Sequence, residues 1–193
     1  MDTAPFYGLS LLRSPGVLTP RPATEALVDR ALERIGDEPL RVADVGTGSG
    51  AVAVVLGLLA PRAEIWATDT SANAVELAAT NAARFGLEGR VRVVEGDLLE
   101  PIPGELDLVV ANLPYLPARE AAEHPELRGE PLAALYALGD GLGPLRRLFE
   151  QAAKRLNPDG AVVYQYRGEV YEAEAEELPL LQSPAWREVA ARS

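Results

Sequence analysis

Between Arg41 and Tyr166, short β-like runs alternate with helix-patterned runs, and this rhythm constrains the fold more than any other feature. Arg41–Val45, Glu64–Thr68, Val91–Glu95, Leu106–Ala111 and Ala161–Tyr166 are rich in β-branched and apolar residues and read as strands. Thr24 opens a run in which Leu27, Val28, Ala31, Leu32 and Ile35 recur at helical spacing, and Gly36 ends it. Ser49–Leu59 is a helix apolar nearly all round and therefore buried. Ser71–Phe85 is a helix with Ser71 as N-cap and Gly86 as stop. Leu142–Leu156 is a helix closed by the turn signal Asn157-Pro158-Asp159-Gly160. Strands alternating with helices predict an α/β fold: a doubly wound, mostly parallel sheet in a three-layer sandwich, with the strand at Val42 central.

The ends and one insertion break the rhythm. Residues 1–22, with Pro5, Gly8, Pro15, Gly16, Pro20 and Pro22, read as an irregular N-terminal arm ahead of one domain spanning 23–193. The Pro-rich stretch 112–140 is long for a connection and reads as a lid or substrate loop. Glu169–Glu177 reads as a solvated helix face, and residues 187–190 as an added edge strand; the stretch 178–193 leaves an abbreviated C-terminal strand pair.

Composition removes several function classes. The chain has no cysteine and one histidine, His124, which excludes thiolate chemistry, disulfides and a His or Cys metal cluster, so no metal site is expected. The longest apolar run, Ala51–Ala60, is about half a membrane span, and the N-terminus lacks a signal-peptide pattern; a cytoplasmic protein with no membrane partner is expected. A formal charge of −11 disfavours nucleic acid, unless Arg119, Arg128, Arg146 and Arg147 form a local basic patch at the site.

In such sheets ligands bind beyond the carboxyl ends of the strands. The first strand is followed by Asp44-Val45-Gly46-Thr47-Gly48-Ser49-Gly50, where glycines permit a tight turn and close approach of a ligand. Gly46-x-Gly48-x-x-Ala51 also satisfies the loose dinucleotide fingerprint, so a NAD-dependent reductase stays open here. The next strand ends at Asp69-Thr70, where a carboxylate can accept both hydroxyls of a ribose. The third ends at Gly96-Asp97-Leu98, a second carboxylate that either meets an adenine amino group or sits solvated in a turn. The fourth ends at Asn112-Leu113-Pro114-Tyr115: a polar amide, a rigid ring and an aromatic side chain directly after an apolar strand.

These segments resemble the class I S-adenosylmethionine-dependent methyltransferases, which have a Rossmann-like fold. More narrowly they resemble the HemK/PrmC group, which methylates a glutamine side-chain amide in peptide-chain release factors. Pro20-Arg21-Pro22-Ala23-Thr24-Glu25 is similar to that group's upstream motif, and Glu130-Pro131-Leu132-Ala133-Ala134-Leu135 with Asp140-Gly141-Leu142 to its downstream segment. The resemblance covers about residues 16–168.

The resemblance implies S-adenosyl-L-methionine as cofactor, held by Asp44, Gly46, Thr47, Gly48, Gly50, Asp69, Thr70, Asp97, Leu98 and Asn112. It implies a catalytic set of Asn112, Leu113, Pro114 and Tyr115. The Asn112 side-chain oxygen and the Leu113 carbonyl accept the hydrogens of the target NH₂, and Tyr115 stacks on its plane. The implied partner is a protein substrate such as a release factor.

The chain departs from the group at three places. Leu113 stands where the group has proline, keeping the carbonyl but losing the fixed φ. Asn-Leu-Pro-Tyr also resembles the motif of ribosomal RNA adenine N6-dimethyltransferases, so methylation of a base amine or of a small molecule stays open. No stretch of these 193 residues resembles the helical domain that usually precedes the bacterial enzymes; short relatives without that domain work with an activating subunit. The strand ending Val162-Val163-Tyr164-Gln165-Tyr166 lacks the expected glutamate. A non-catalytic cofactor-binding scaffold is the reading from another class.

Overall fold

A computed structural model describes residues 2–178 of the chain. Five parallel strands and one antiparallel strand form the main sheet. They are β3 (Arg41–Val45), β4 (Glu64–Asp69), β5 (Val91–Glu95), β6 (Leu106–Ala111), β9 (Leu156–Tyr166) and β10 (Glu169–Glu174), in spatial order β10-β9-β6-β3-β4-β5. β3 is central: Val42 pairs with Ile65 of β4 on one side and Leu108 of β6 on the other. Strand order reverses beside β3, the topological switch point at which such sheets bind ligands.

Alternation along each strand decides what each face covers. Val42, Ile65, Leu108, Val110, Ala161 and Val163 point to one layer, built from α1 (Glu25–Ile35), α2 (Ala51–Leu59) and α3 (Ala72–Arg84). Ala43, Val45, Val109, Ala111, Val162 and Tyr164 point to the other, covered by α5 (Gly143–Ala152) and the segment around Leu98, Leu99 and Ile102. Strands buried on both faces read as unbroken apolar runs, which is why they are visible in the sequence. In α1 the apolar stripe Leu27, Val28, Ala31 and Ile35 is fully buried. α2 is buried nearly all round, and its Gly57 sits where a Cβ would lie 2.8 Å from Val91 Cγ2.

Three segments differ from the sequence expectations. Residues 1–22 are not irregular throughout: β1 (Thr3–Phe6) and β2 (Leu9–Leu12) form an antiparallel hairpin with Phe6 and Leu11 in the core. Tyr7 and Gly8, at φ +51° and +74°, supply the two left-handed residues that a tight hairpin turn needs, so Gly8 marks a turn and not a break. Asn81 of α3 holds the hairpin down. Its Oδ1 accepts from Leu12 N (2.8 Å), and its Nδ2 donates to Leu12 O and to Ser49 O (3.1 and 2.8 Å).

At the other end, Glu169–Glu174 is strand β10 and not a helix face; Arg167 and Gly168, at φ +50° and +86°, turn the chain back beside β9. Glu172 lies on the side facing α1 and is paired there with Arg30 and Arg34, which offsets the cost of covering its charge. α5 stops at Ala152, short of Leu156, which already belongs to β9. Asn157–Gly160 is an excursion within β9: Leu106 pairs with Leu156 while Leu108 pairs with Ala161. Asn157 Nδ2 donates to Asp107 Oδ1 at 2.6 Å and fastens the excursion to β6. The expected edge strand at 187–190 lies outside the described residues.

The insertion 112–140 is folded against the body by short elements. β7 (Leu116–Pro117) pairs with β8 (Tyr136–Ala137), and a single helical turn α4 (Leu132–Leu135) precedes β8. Among the described residues no helix is long and apolar enough to cross a membrane.

Candidate active site

The carboxyl ends of β3, β4, β5 and β6 open on one cavity of about 380 Å³. Its wall contains Asp44, Gly46, Thr47, Gly48, Asp69, Thr70, Asp97, Leu98, Asn112, Leu113 and Pro114. Two residues of the expected set do not line it. Gly50, at φ +78°, caps α2 and faces Ala78, whose Cα would lie 2.9 Å from an added Cβ. Tyr115 is half-buried and packs edge-on against Tyr166, with centroids 5.3 Å apart.

The glycine loop is tied into the sheet by its own amides. Gly46 N and Thr47 N both donate to Thr68 O at 2.9 Å, and Gly50 N to Thr47 O at 2.9 Å. Gly48 N donates to Asp69 Oδ2 at 3.0 Å, and Ser71 N to Asp69 Oδ1 at 2.9 Å. Asp44 is buried, and its Oδ2 accepts from Thr47 Oγ1 (2.6 Å) and from Ala53 N in the first turn of α2 (3.1 Å). Burial pushes the Asp44 carboxyl up to about 6, with the Thr47 and Ala53 hydrogen bonds opposing the rise and Asp69 adding to it.

This arrangement separates two ligand classes. A dinucleotide sets its pyrophosphate on the N-terminus of the helix after the glycine loop. Here an internal carboxylate, Asp44, accepts an amide of that first turn, and the loop amides of Gly46, Thr47, Gly48 and Gly50 have partners within the chain. A second anion would meet Asp44 and Asp69. The carboxylates of Asp44 and Asp69 suit instead a ligand that brings a cation and hydroxyl groups, which is the chemistry of an amino-acid–nucleoside cofactor.

Asn112 leaves β6 with its side chain at the cavity, and its Nδ2 donates to Thr24 Oγ1 at 3.0 Å. Leu113 is buried among Val45, Ala111, Leu142 and Leu145. Its Cδ2 would lie 2.8 Å from a Cβ on Gly46, so the bare glycine lets Leu113 seat itself over the loop. Packing thus restrains the backbone here, where a proline ring would restrain φ. Gly141, at φ +86°, closes against the next backbone, where an added Cβ would lie 2.2 Å from Tyr115 O.

The sequence reading assigns no role to Val17, Leu18 and Thr19, which line the cavity; Arg21, open there between a cofactor or substrate contact and a surface position, lines it too, as does Thr24 of the same upstream motif. Glu130 of the insertion accepts from Arg21 Nη2 (3.0 Å) and Thr19 N (3.2 Å), clasping the insertion to that segment. Arg147 of α5 lines the cavity and pairs with Asp97. Arg146 pairs with Asp140, and Arg119 donates to Gly139 O. The arginines that could have made a basic patch are thus engaged largely by the chain's own acceptors, which argues against a phosphate-backbone footprint.

The comparisons agree with this geometry. The model of the methyltransferase small domain family matches residues 14–125, more than half of the chain. Release factor glutamine methyltransferase from Deinococcus radiodurans is 46% identical over 160 residues, covering 82% of this chain and 57% of its own length. The protein of the same name from Bordetella pertussis is 44% identical over 192 residues, covering 97% of this chain and 69% of its own. The chain therefore spans somewhat over half the length of the first of these relatives. The crystal structure of ribosomal protein L11 methylase from Lactobacillus delbrueckii superposes with a TM-score of 0.56 at 30% identity, over 78% of this chain and 63% of that one. With the Gly46–Gly50 loop, the rim carboxylates and Asn112 on one cavity, and with these matches, the chain belongs to the methyltransferase small domain family.

Proposed function

We propose that the chain is an S-adenosylmethionine-dependent N-methyltransferase acting on a glutamine side-chain amide of a protein, with a release factor as the substrate class. The observation that carries this reading is the placement of Asn112, Leu113 and Pro114 on the same cavity as the glycine loop and the carboxylates Asp44 and Asp69. Residues 23–193 form the methyltransferase domain in this reading, and 112–140 the substrate loop. A cytoplasmic location and an activating subunit belong to the same proposal.

When bound, S-adenosylmethionine supplies a methyl group on a positively charged sulfur; the methyl passes to the amide nitrogen, a thioether is left, and the displaced proton goes to solvent. The chain's residues do the rest by position and charge. Asp44 would hold the cationic amino group, Asp69 the ribose hydroxyls, and Asp97, here paired with Arg147, the adenine amino group. An amide nitrogen is a poor nucleophile because its lone pair is delocalised. Two acceptors on its hydrogens, Asn112 Oδ1 and the Leu113 carbonyl, raise electron density on nitrogen and fix its direction of attack. Such preorganised groups supply several kcal/mol without a strong base. Tyr115 packs edge-on against Tyr166 outside the cavity wall, so stacking on the target would require its ring to turn toward the cavity.

Calorimetric titration with S-adenosylhomocysteine and, in parallel, with NAD tests the cofactor class; micromolar binding of the first and none of the second is expected. Transfer of labelled methyl to a glutamine-containing release factor tests the substrate. Binding of NAD alone, or labelling that survives replacement of the target glutamine, would overturn the proposal.

A further inference from the structure

A side-chain amide has two corners of nearly the same shape and opposite chemistry: the oxygen only accepts hydrogen bonds, and the nitrogen only donates. In the proposed mechanism Asn112 works only with its oxygen toward the target, because its NH₂ would set donors against the donors of the target amide. Three buried or partly buried groups behind Asn112 bear on that choice.

The run begins at a group with no freedom, the Ala23 carbonyl, which can only accept. Gln165 Nε2 donates to it at 2.7 Å. Gln165 Oε1 is thereby turned toward Thr24 Oγ1, 3.1 Å away. An amide oxygen cannot donate, so the Thr24 hydroxyl spends its one hydrogen on Gln165. Toward Asn112 the hydroxyl oxygen can then only accept, and it takes the hydrogen of Asn112 Nδ2 at 3.0 Å. Asn112 Oδ1 is the corner left away from Thr24. Thr24 and Gln165 are 8% and 3% exposed, so water does not readily substitute for either partner.

We propose that Thr24 and Gln165 are positioning residues that fix the polarity of the Asn112 amide, so that its oxygen faces the methyl acceptor. The inference rests on the function proposed above. It also gives a role to the glutamine at the end of β9, where the group resemblance expects a glutamate: a carboxylate has no hydrogen for the Ala23 carbonyl, whereas the amide serves Ala23 with one corner and Thr24 with the other.

The test compares Thr24→Val, which keeps shape and removes the hydroxyl, with Thr24→Ser, which keeps the hydroxyl, and with Gln165→Met. Asn112→Ala is the reference. Methyl transfer is measured with purified full-length chain and a release factor as acceptor. Thr24→Val and Gln165→Met are expected to lower kcat by ~10- to 100-fold, the scale of a misplaced catalytic group. KM for the donor and the Kd for S-adenosylhomocysteine stay within about twofold, and Thr24→Ser retains at least about half of kcat. Wild-type kcat in Thr24→Val, or equal damage from Thr24→Ser and Thr24→Val, overturns the inference. If Asn112→Ala turns over like the wild type, the functional reading fails and takes the inference with it.

A second readout needs no acceptor. In ¹⁵N-correlated NMR spectra the two side-chain amide hydrogens of Asn112 are expected to be well separated and slow to exchange. In Thr24→Val they are expected to draw together and exchange faster. Unchanged Asn112 amide signals in Thr24→Val overturn the inference whatever the true acceptor is.

Discussion

The backbone N–H of Gly48 donates to Asp69 Oδ2 at 3.0 Å, so the loop after β3 and the carboxylate at the end of β4 form one hydrogen-bonded unit. Ser71 N takes the other oxygen at 2.9 Å. The carboxylate is held from both sides before any ligand arrives, and it lines the cavity. Orientation of this kind lowers the entropy that binding must overcome.

Asp69→Ala is therefore expected to weaken S-adenosylhomocysteine binding by ~10- to 100-fold, the scale of hydrogen bonds to a charged acceptor. Calorimetry on the folded variant measures it. Unchanged affinity would remove Asp69 from the ribose.

Asn112→Ala is expected to separate binding from chemistry. The cofactor Kd rises only a few-fold, because Asn112 is one contact at the edge of a site whose glycine loop and Asp69 are untouched. Turnover on the true acceptor falls by ~10²-fold or more, as for other lost electrostatic groups. Steady-state kinetics with saturating cofactor decides between these outcomes.

Asp44 gives the cavity a pH dependence whose sign follows from its burial. Its folded pKa is raised from 3.8 to about 6, so between those values the folded state holds a proton that the unfolded state has released. The charge on Asp44 thus opposes folding as pH rises through that window, and the cost is fully present above about 6. A ligand with a cationic amino group prefers the ionised carboxylate. Its affinity is expected to fall about tenfold per pH unit below about 6 and to be flat above about 7. Titrations from pH 5 to 8 measure this, and the slope should vanish in Asp44→Asn. A flat profile in the wild type would separate Asp44 from the ligand's cation.

Gly50→Ala should damage the fold more than the chemistry. The residue sits at φ +78°, and a Cβ there would lie 2.9 Å from Ala78 Cα and 3.0 Å from Ala78 Cβ, neither of which is the tip of a flexible side chain. A loss of about 2 kcal/mol is expected from strain and overpacking together. Urea denaturation reads it directly; a loss under about 0.5 kcal/mol would mean that α2 and α3 part easily.

What the sequence determined is local in origin. The parallel strands read as apolar runs because both faces are buried. The helices read by their 3.6-residue stripe, and Gly36, Gly86 and Ser71 marked their ends. The rim residues Asp44, Asp69, Asp97 and Asn112 were legible for the same reason: each lies at or just beyond the carboxyl end of a strand that the pattern already located, and parallel pairing brings those ends to one side.

Tertiary structure decided what depends on partners distant in the chain. In Glu169–Glu174 only Val170 and Tyr171 favour a strand among the glutamates; β9 beside it and the arginines of α1 decide it. Pro5 and Gly8 read as breaks until Leu9–Leu12 returns along Thr3–Phe6 and Asn81 receives the hairpin. Asp97 faces Arg147, Leu113 is held by a glycine's missing Cβ, and Asn112 meets Thr24, 88 residues earlier in the chain, which itself meets Gln165, 141 residues later. Periodicity fixes which face a residue occupies; a hydrogen-bond partner on another element is chosen only when the layers pack, because only then is water excluded and a single arrangement of donors and acceptors left satisfied.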